Sequence, residues 1–237
     1  MSTDGRWIRI DAHVAALYSY RIPDFNSFYA LAAPVPSPSA WKLALVSSII
    51  EHSGSPEQGR ALFDALRDAT VRVAPPERVA SSRVLVKRLK KPKQSGAGFT
   101  VSFGIREYLH PKGPVTAFIL VPEAELARTL TAARRIRRLG TTDSLVTTQV
   151  CECDGPDETI CARRLADMPL DPEAVRGRLT LPLNDLTQKA LLDHFAPADA
   201  KSGAGKALET GMYLLPLRLE KQGANWLLWE RAPFGRQ

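Results

Sequence analysis

The alternation near the start of the chain constrains its fold more than any other feature. Ile8, Ile10, Ala12, Val14, Ala16, Tyr18 and Tyr20 take every second position, with Arg9, Asp11, His13 and Ser19 between them. A helix returns every third or fourth residue to one face, so a period of two kept this long demands an extended strand with one buried side. The pattern predicts a single long strand over residues 8–20, with His13 on its polar face.

A loop over residues 21–37 follows, where Pro34, Pro36 and Pro38 at alternate positions hold the backbone extended. Ser37 and Pro38 have the residue types of an N-cap and a first helical position. They predict a helix through Trp41, Leu45, Val46 and Ile49 to His52, ended by Gly54, with Trp41 facing the core. A second helix is predicted from Pro56 to Ala69, with Leu62, Phe63 and Leu66 inward. From Val84 the pattern is strand-like again, and a second alternation places Phe99, Val101, Phe103 and Ile105 between Thr100, Ser102 and Gly104. Lysines and Gln94-Ser95-Gly96-Ala97-Gly98 separate the two stretches, so they form a long hairpin with a cationic, glycine-containing tip. The nearly continuous apolar run Val115 to Val121 predicts a strand buried on both faces. Pro122, Glu123 and Glu125 begin a third helix with Leu126, Leu130, Ala133 and Ile136 inward. Its last turn holds the arginines and Gly140 closes it. Another strand runs from Leu145 to Val150.

This order predicts an α+β fold, compatible with a ferredoxin-like β-α-β-β-α-β unit over residues 1–152, carrying the hairpin (about 83–105) between its second and third core strands. Residues 153–237 form an irregular C-terminal extension packing on that domain. It is expected to hold a helix from Leu186 to Phe195, a flexible loop from Lys201 to Lys206, and strands Met212 to Leu219 and Asn225 to Glu230.

Charge is unevenly spread. Arg83, Lys87, Arg88, Lys90, Lys91 and Lys93 fall in a stretch with no acid between Ser81 and Phe103. Arg128, Arg134, Arg135, Arg137 and Arg138 fall in a second, with no acid between Leu126 and Thr142. Taking these eleven charges from the net +7 leaves the rest of the chain at −4. A slightly acidic body with two cationic segments points to a polyanionic partner. Cations along a hairpin repel one another unless an anion joins them, although lysines also protect sheet edges. Arginines at a helix C-terminus are partly explained by the dipole, which makes Arg134, Arg135, Arg137 and Arg138 secondary nucleic-acid-binding candidates.

Other classes find less support. No apolar run reaches the roughly 20 residues that cross a bilayer, and no signal peptide is indicated, so a cytoplasmic address without membrane contact is expected. Cys151, Cys153 and Cys161 are too few and wrongly spaced for a disulfide framework or a zinc site, and no metal or cofactor is expected. Nucleophile-elbow, P-loop and zincin patterns are absent, and Gly203-Ala204-Gly205-Lys206 lacks the rest of a phosphate loop. Tyr108, His110 and Lys112 could cleave RNA without metal, a base taking the 2′-hydroxyl proton and a cation steadying the phosphorane. Their spacing is not diagnostic.

Four short stretches bear a family resemblance. Tyr20-Arg21-Ile22-Pro23 followed by Ala33-Pro34-Val35-Pro36-Ser37-Pro38-Ser39-Ala40 resembles the strand, loop and helix that begin CRISPR-associated RAMP proteins. The branch it is most similar to is the "Cas-five" family, the Cascade subunit that caps the 5′ handle of the CRISPR RNA. Arg106-Glu107-Tyr108-Leu109 resembles that family's segment after the hairpin, and Leu139-Gly140 through Asp143-Ser144-Leu145-Val146 its junction of helix and last strand. Gly211-Met212-Tyr213-Leu214-Leu215-Pro216 resembles its C-terminal strand. The four occur in the family's order, whereas the glycine-rich C-terminal loop is matched only loosely by Gly203 to Gly205 and the cysteine pair has no counterpart.

The resemblance implies a RAMP domain whose hairpin is an RNA-gripping thumb. It implies a non-catalytic, RNA-binding subunit of a type I CRISPR surveillance complex, acting in antiviral defence. Its partners would be the CRISPR RNA handle, the adjacent backbone RAMP subunit and the large subunit, with target DNA a further candidate. RNA contacts are expected from Tyr20, Arg21, Arg83, Lys87, Arg88, Lys90, Lys91, Lys93, Arg106 and Tyr108. Cations would hold phosphates, and Tyr20, Phe25 or Tyr108 would stack splayed bases. The alternatives are a metal-independent endoribonuclease acting on precursor RNA through Tyr108, His110 and Lys112, and a protein-interaction module facing an acidic partner.

Overall fold

The computed structural model describes residues 5–23, 29–90, 98–141, 144–168, 175–195 and 206–235, with only the backbone of Tyr29, Arg88 and Lys90. Strand β1, Gly5–Val14, buries Ile8, Ile10 and Ala12 completely and turns Arg9 outward. It ends six residues earlier than the alternation predicts. The Ala15 N–H donates to the Leu145 carbonyl at 3.0 Å, and Tyr18 then exchanges two backbone bonds with Leu109, at 3.1 and 2.7 Å. Tyr18 is buried, but against a different sheet, and a period of two does not say which sheet a residue faces.

After β2 (Tyr29–Ala30) comes α1, Pro38–Ser53, with Pro38 in its first turn and Gly54 at its end. Gly54 takes φ +68°, which favours glycine, and its N–H reaches the Ile50 carbonyl at 2.8 Å. The Ser37 hydroxyl does not cap the helix; it accepts the Asn184 N–H at 3.0 Å and so ties the helix start to the C-terminal half. Helix α2, Pro56–Leu66, is capped by the Ser55 hydroxyl and buries Leu62, Phe63 and Leu66. Strand β3, Val71–Ala74, has no counterpart among the sequence expectations, since four residues are too short for a clear period.

The hairpin strands are β4, Arg78–Lys90, and β5, Thr100–Lys112, longer at the base than expected. The apolar run forms β6, Val115–Pro122. A 3-10 turn at Glu123–Glu125 leads into α3, Leu126–Ala133, and β7 is Val146–Cys153. The third helix thus ends before the arginine cluster, which corrects the expectation that those arginines fill its last turn. Beyond Ala133 the buried residues are Ile136 and Leu139, a spacing of three that draws the chain inward without a helix. Gly140, at φ +100°, does not close the helix. It seats the chain on Ser19, where an added Cβ would lie 2.9 Å from the Ser19 carbonyl oxygen.

The C-terminal part contains β8 (Arg163–Arg164), β9 (Arg178–Leu186), β10 (Leu208–Gln222) and β11 (Trp226–Arg231). The helix expected from Leu186 to Phe195 is not formed. Leu186 closes β9 and only Leu192–Phe195 makes a 3-10 turn. The competing pattern is the alternation that buries Leu181 and Leu183, and Pro182 is tolerated because β9 pairs with β10 alone. Residues 201–205 of the expected loop lie outside the described residues.

These elements make an α+β fold of largely antiparallel sheets, with β2 pairing parallel to β5. One sheet has the order β3-β6-β1-β7, every neighbour antiparallel, with α3 packed on β1, β6 and β7. The other has the order β2-β5-β4-β11-β10-β8, and β11 pairs with the base of β4, so the C-terminal strands are stitched to the hairpin. The main core runs from Ile8 and Ile10 through Trp41 and Leu45 to Leu183 and Leu217. Lys42, 2% exposed, binds Asp185 at 2.8 Å and the Arg67 carbonyl at 2.9 Å, joining α1, β9 and the end of α2.

Candidate nucleic-acid interface

The hairpin's backbone register decides which side chains share a face. Arg83 lies opposite Glu107, Leu85 opposite Ile105, Lys87 opposite Phe103 and Leu89 opposite Val101. Directly opposed residues and those two apart share a face, so Leu85, Lys87, Leu89, Val101 and Phe103 form one surface. At the base the same face holds Leu109 and Glu107, both buried. Strand β11 supports only Arg78 to Ser82, and β2 only Ile105 and Arg106. Beyond these the hairpin is a bare two-stranded ribbon. Leu85 and Leu89 are each 66% exposed, Phe103 52%, and Phe99 at the start of the return 69%.

Two aromatic residues that sequence reasoning assigned only to strand alternation, Phe99 and Phe103, are therefore open to solvent. A third, Trp226, is exposed opposite Ser82, in one cross-strand row with Tyr108. Nothing in a period-two pattern separates a buried strand face from one left uncovered, so the sequence carried no signal for them.

The cations divide. Lys87 is exposed on the apolar face of the ribbon, and Arg88 and Lys90 lie in β4 opposite Ser102 and Thr100. Lys91 and Lys93 lie outside the described residues, as does Phe25. Arg83 is engaged: its Nε is 3.5 Å from Glu107 Oε1, while the other Glu107 oxygen accepts the Ala32 N–H at 3.0 Å. The stretch is free of acids in sequence, yet an acid stands across the ladder. Arg21 is exposed and bridges Ala32 through its backbone, and Arg106 is half-buried in β5 beside Ala30. Tyr20 packs against the main core, and burial pushes its phenol above the ordinary range. That environment is one of packing rather than an open stacking platform.

Tyr108, His110 and Lys112 share the opposite face of β5, with Tyr108 half-buried and the other two exposed. His110 Nε2 lies 3.4 Å from the Ser82 hydroxyl. Strand rise puts Tyr108 and Lys112 about 13 Å apart along the backbone, a wide span for three groups serving one phosphate.

Arg134, Arg135, Arg137 and Arg138 are all exposed, and among the described residues none pairs with a carboxylate. They lie against the last turns of α1. A cleft of about 480 Å³ between β3 and residues 162–168 offers a contrast. Of its three arginines, Arg72 is paired with Glu158 at 3.2 Å and Arg164 with Glu209 at 3.1 Å, and Asp68, Asp167 and Asp185 line it beside Arg163, so it presents no surplus positive charge.

Among the described residues no three His, Cys, Asp or Glu side chains gather as metal ligands. Cys151 is exposed, Cys153 half-buried, and Cys161 lies in a small cluster with Ala74 and Phe118, where burial pushes its thiol up to about 12. No helix among the described residues is long and apolar enough to cross a membrane.

No family model matches the chain. It is 35% identical over 229 residues to the CRISPR-associated protein Cas5 of Archaeoglobus fulgidus, a match covering 95% of this chain and 98% of that protein. Among solved structures it is similar to a CRISPR protein from Archaeoglobus fulgidus, at 14% identity and a TM-score of 0.48, over 95% of this chain and 92% of that one. It is also similar to a chain of a CRISPR RNA-guided surveillance complex, at 16% identity and a TM-score of 0.35, over 97% and 91%.

Proposed function

The chain belongs to the CRISPR-associated Cas5 family, and on that premise we propose that it is a non-catalytic, RNA-binding subunit of a Cascade-type surveillance complex that grips the 5′ handle of the CRISPR RNA with the β4–β5 hairpin. The observation that carries this reading is the uncovered ribbon. Folding leaves Leu85, Leu89, Phe99 and Phe103 in solvent beside Lys87, a combination that suits a single strand. Cations hold phosphates without reading sequence, and exposed aromatic faces accept unstacked bases. Arg88 and Lys90 add charge at the distal end, Lys91 and Lys93 follow them in the sequence, and Arg21, Arg106 and Tyr108 lie at the base. Arg83, held by Glu107, serves mainly to fix that base.

The order β3-β6-β1-β7, with helices in both crossovers, supports a ferredoxin-like RAMP unit from which the hairpin projects as a thumb. The exposed apolar residues also suit contact with the neighbouring backbone and large subunits. Lys87→Glu with Arg88→Glu, Lys90→Glu and Lys91→Glu should abolish co-purification of CRISPR RNA while the unfolding midpoint stays unchanged. RNA assembly that survives these reversals at physiological salt removes the thumb assignment.

One observation favours a rival reading. His110 is exposed and on the same strand face as Tyr108, as a metal-independent endoribonuclease would need of its general base. Incubating the protein with a labelled repeat RNA in chelator decides between the two. A discrete product lost in His110→Ala supports the enzyme, and intact RNA supports the binding subunit. A module for an acidic protein partner predicts purified material without nucleic-acid absorbance.

A further inference from the structure

The four arginines after α3 are the strongest charged patch that the hairpin reading leaves unused. We propose that Arg135, Arg137 and Arg138 form a second phosphate-binding surface, holding a nucleic-acid backbone independently of the hairpin.

Helix electrostatics reach Arg134, the C-cap residue, and weaken along the three arginines beyond it. The dipole acts within the last turn, and α3 ends at Ala133. Internal pairing does not account for these side chains. Arg6, Arg60, Arg72, Arg78 and Arg164 each have a carboxylate within 3.2 Å. The four arginines of this segment have none among the described residues.

The backbone that carries them is fixed. The Arg137 carbonyl accepts the Val146 N–H at 2.9 Å, and the Leu139 N–H donates to the Ser144 carbonyl at 3.1 Å. Ile136 and Leu139 are buried, and the Thr141 N–H donates to the Ser19 carbonyl at 3.1 Å. Only side-chain freedom is lost when an anion binds, which lowers the ordering cost.

The facing wall is the C-terminal end of α1. A groove of about 280 Å³ lies between Ser48, Glu51, His52, Arg135 and Arg137, and an adjoining one of about 290 Å³ reaches Arg138. Glu51 is the acid of this groove, and its carboxylate accepts the Ser47 hydroxyl at 3.5 Å. One carboxylate against three guanidinium groups leaves the groove cationic. The Ser48 hydroxyl is spent on the Ala132 carbonyl at 2.7 Å.

Planar guanidinium forks match phosphate oxygens. The groove lining has no Phe, Tyr or Trp, its one ring being the His52 imidazole, and its apolar members are the half-buried Ala44 and the core residue Ile136, leaving no large exposed anchor of the kind a protein interface centres on. The chemistry selects a phosphodiester backbone, bound without regard to sequence.

The test uses the full chain with fluorescein-labelled single-stranded repeat RNA and, separately, a 30-base-pair DNA duplex, titrated by anisotropy from about 50 to 200 mM salt. Replacing Arg135, Arg137 and Arg138 together by Gln keeps the stems and removes the charges. The slope of log affinity against log salt should fall by about two for the RNA if it occupies the surface, or by nearly three for the duplex if it does. The probe that responds identifies the source. The same change in slope should appear when the hairpin lysines are already reversed, so failure of the thumb reading and failure of this one are separable. An unchanged slope with both probes overturns the proposal. So does an unchanged slope accompanied by loss of a co-expressed protein partner, because the surface then belongs to a protein. Unfolding midpoints of the variants should match that of the parent chain, since the three residues are exposed and, among the described residues, have no carboxylate partner.

Discussion

Leu109 and Leu89 belong to one hairpin, yet the first is 2% exposed and the second 66%. At the base, β4 lies between β5 and β11, Leu109 enters the core, and Glu107 holds Arg83 and the Ala32 N–H. In the distal half the ladder continues from Val86 to Lys90 with no third strand, and its apolar side chains meet water. Two strands alone are marginal in water, so the distal half gains its order from the base rather than from its own side chains. Strand pairing and burial are separable, and here they separate within one pair of strands. The base belongs to the fold, and the distal half stands clear of it.

The largest effect should divide that pair of leucines. Leu109→Ala should cost about 2–5 kcal/mol through lost burial and the cavity left behind. Leu89→Ala should stay within about 0.5 kcal/mol. Urea unfolding of the two variants measures both, and equal losses would show that the distal half is packed after all. Glu107→Ala comes next. It strands the Ala32 N–H in a buried position and removes the partner of Arg83, at about 1.5–3 kcal/mol for a hydrogen bond involving a charged group. RNA affinity per folded molecule should change little, because Arg83 keeps its charge.

The same division marks what the sequence could tell. Both hairpin arms are legible from period-two alternation and the lysine-glycine tip, and α1 from Ser37-Pro38 at one end and Gly54 at the other. The break after Val14 is not, because Ala16, Tyr18 and Tyr20 keep the period while the chain changes sheets. Nor is the end of α3, where Ile136 fits a helical stripe as well as the three-residue spacing actually used. Electrostatics reads least well along the chain. Glu107 stands four residues beyond Phe103 but directly across from Arg83. The charge of a cationic segment is a property of its register, and register is fixed by the turn and by packing at the base.

Substitutions of the exposed aromatics sharpen the contrast from the other side. Phe103→Ala and Phe99→Ala should leave the unfolding midpoint unchanged. Each should weaken binding to handle RNA by about 1–3 kcal/mol, the range for one base stacked on an aromatic ring, or roughly 5- to 150-fold. Anisotropy with a short single-stranded RNA provides the measurement. Intact affinity in both variants would assign the apolar ribbon to a protein neighbour and leave the RNA to the cations.

The smallest effect uses the cysteines as reporters of which region has moved. Cys161 is fully buried beside Phe118 and Ala74, behind the first sheet, whereas Cys151 is exposed on β7. Burial favours the neutral thiol and pushes Cys161 up to about 12 in the folded chain, against about 8.5 when unfolded. The folded state therefore keeps a proton that the unfolded state releases over that interval. The stabilisation is complete below about pH 8.5 and is lost as pH rises toward 12. The gap in thermal midpoint between the parent chain and Cys161→Ala should narrow steadily above about pH 9, with the other alkaline titrations cancelling in the difference. A gap that stays constant to pH 10.5 would show that the thiol is solvated. Alkylation near pH 8 should modify Cys151 and spare Cys161. Protection of Cys161 should weaken in Leu109→Ala, in step with its lost stability, and persist in Leu89→Ala, because only the base of the hairpin is part of the cooperative core.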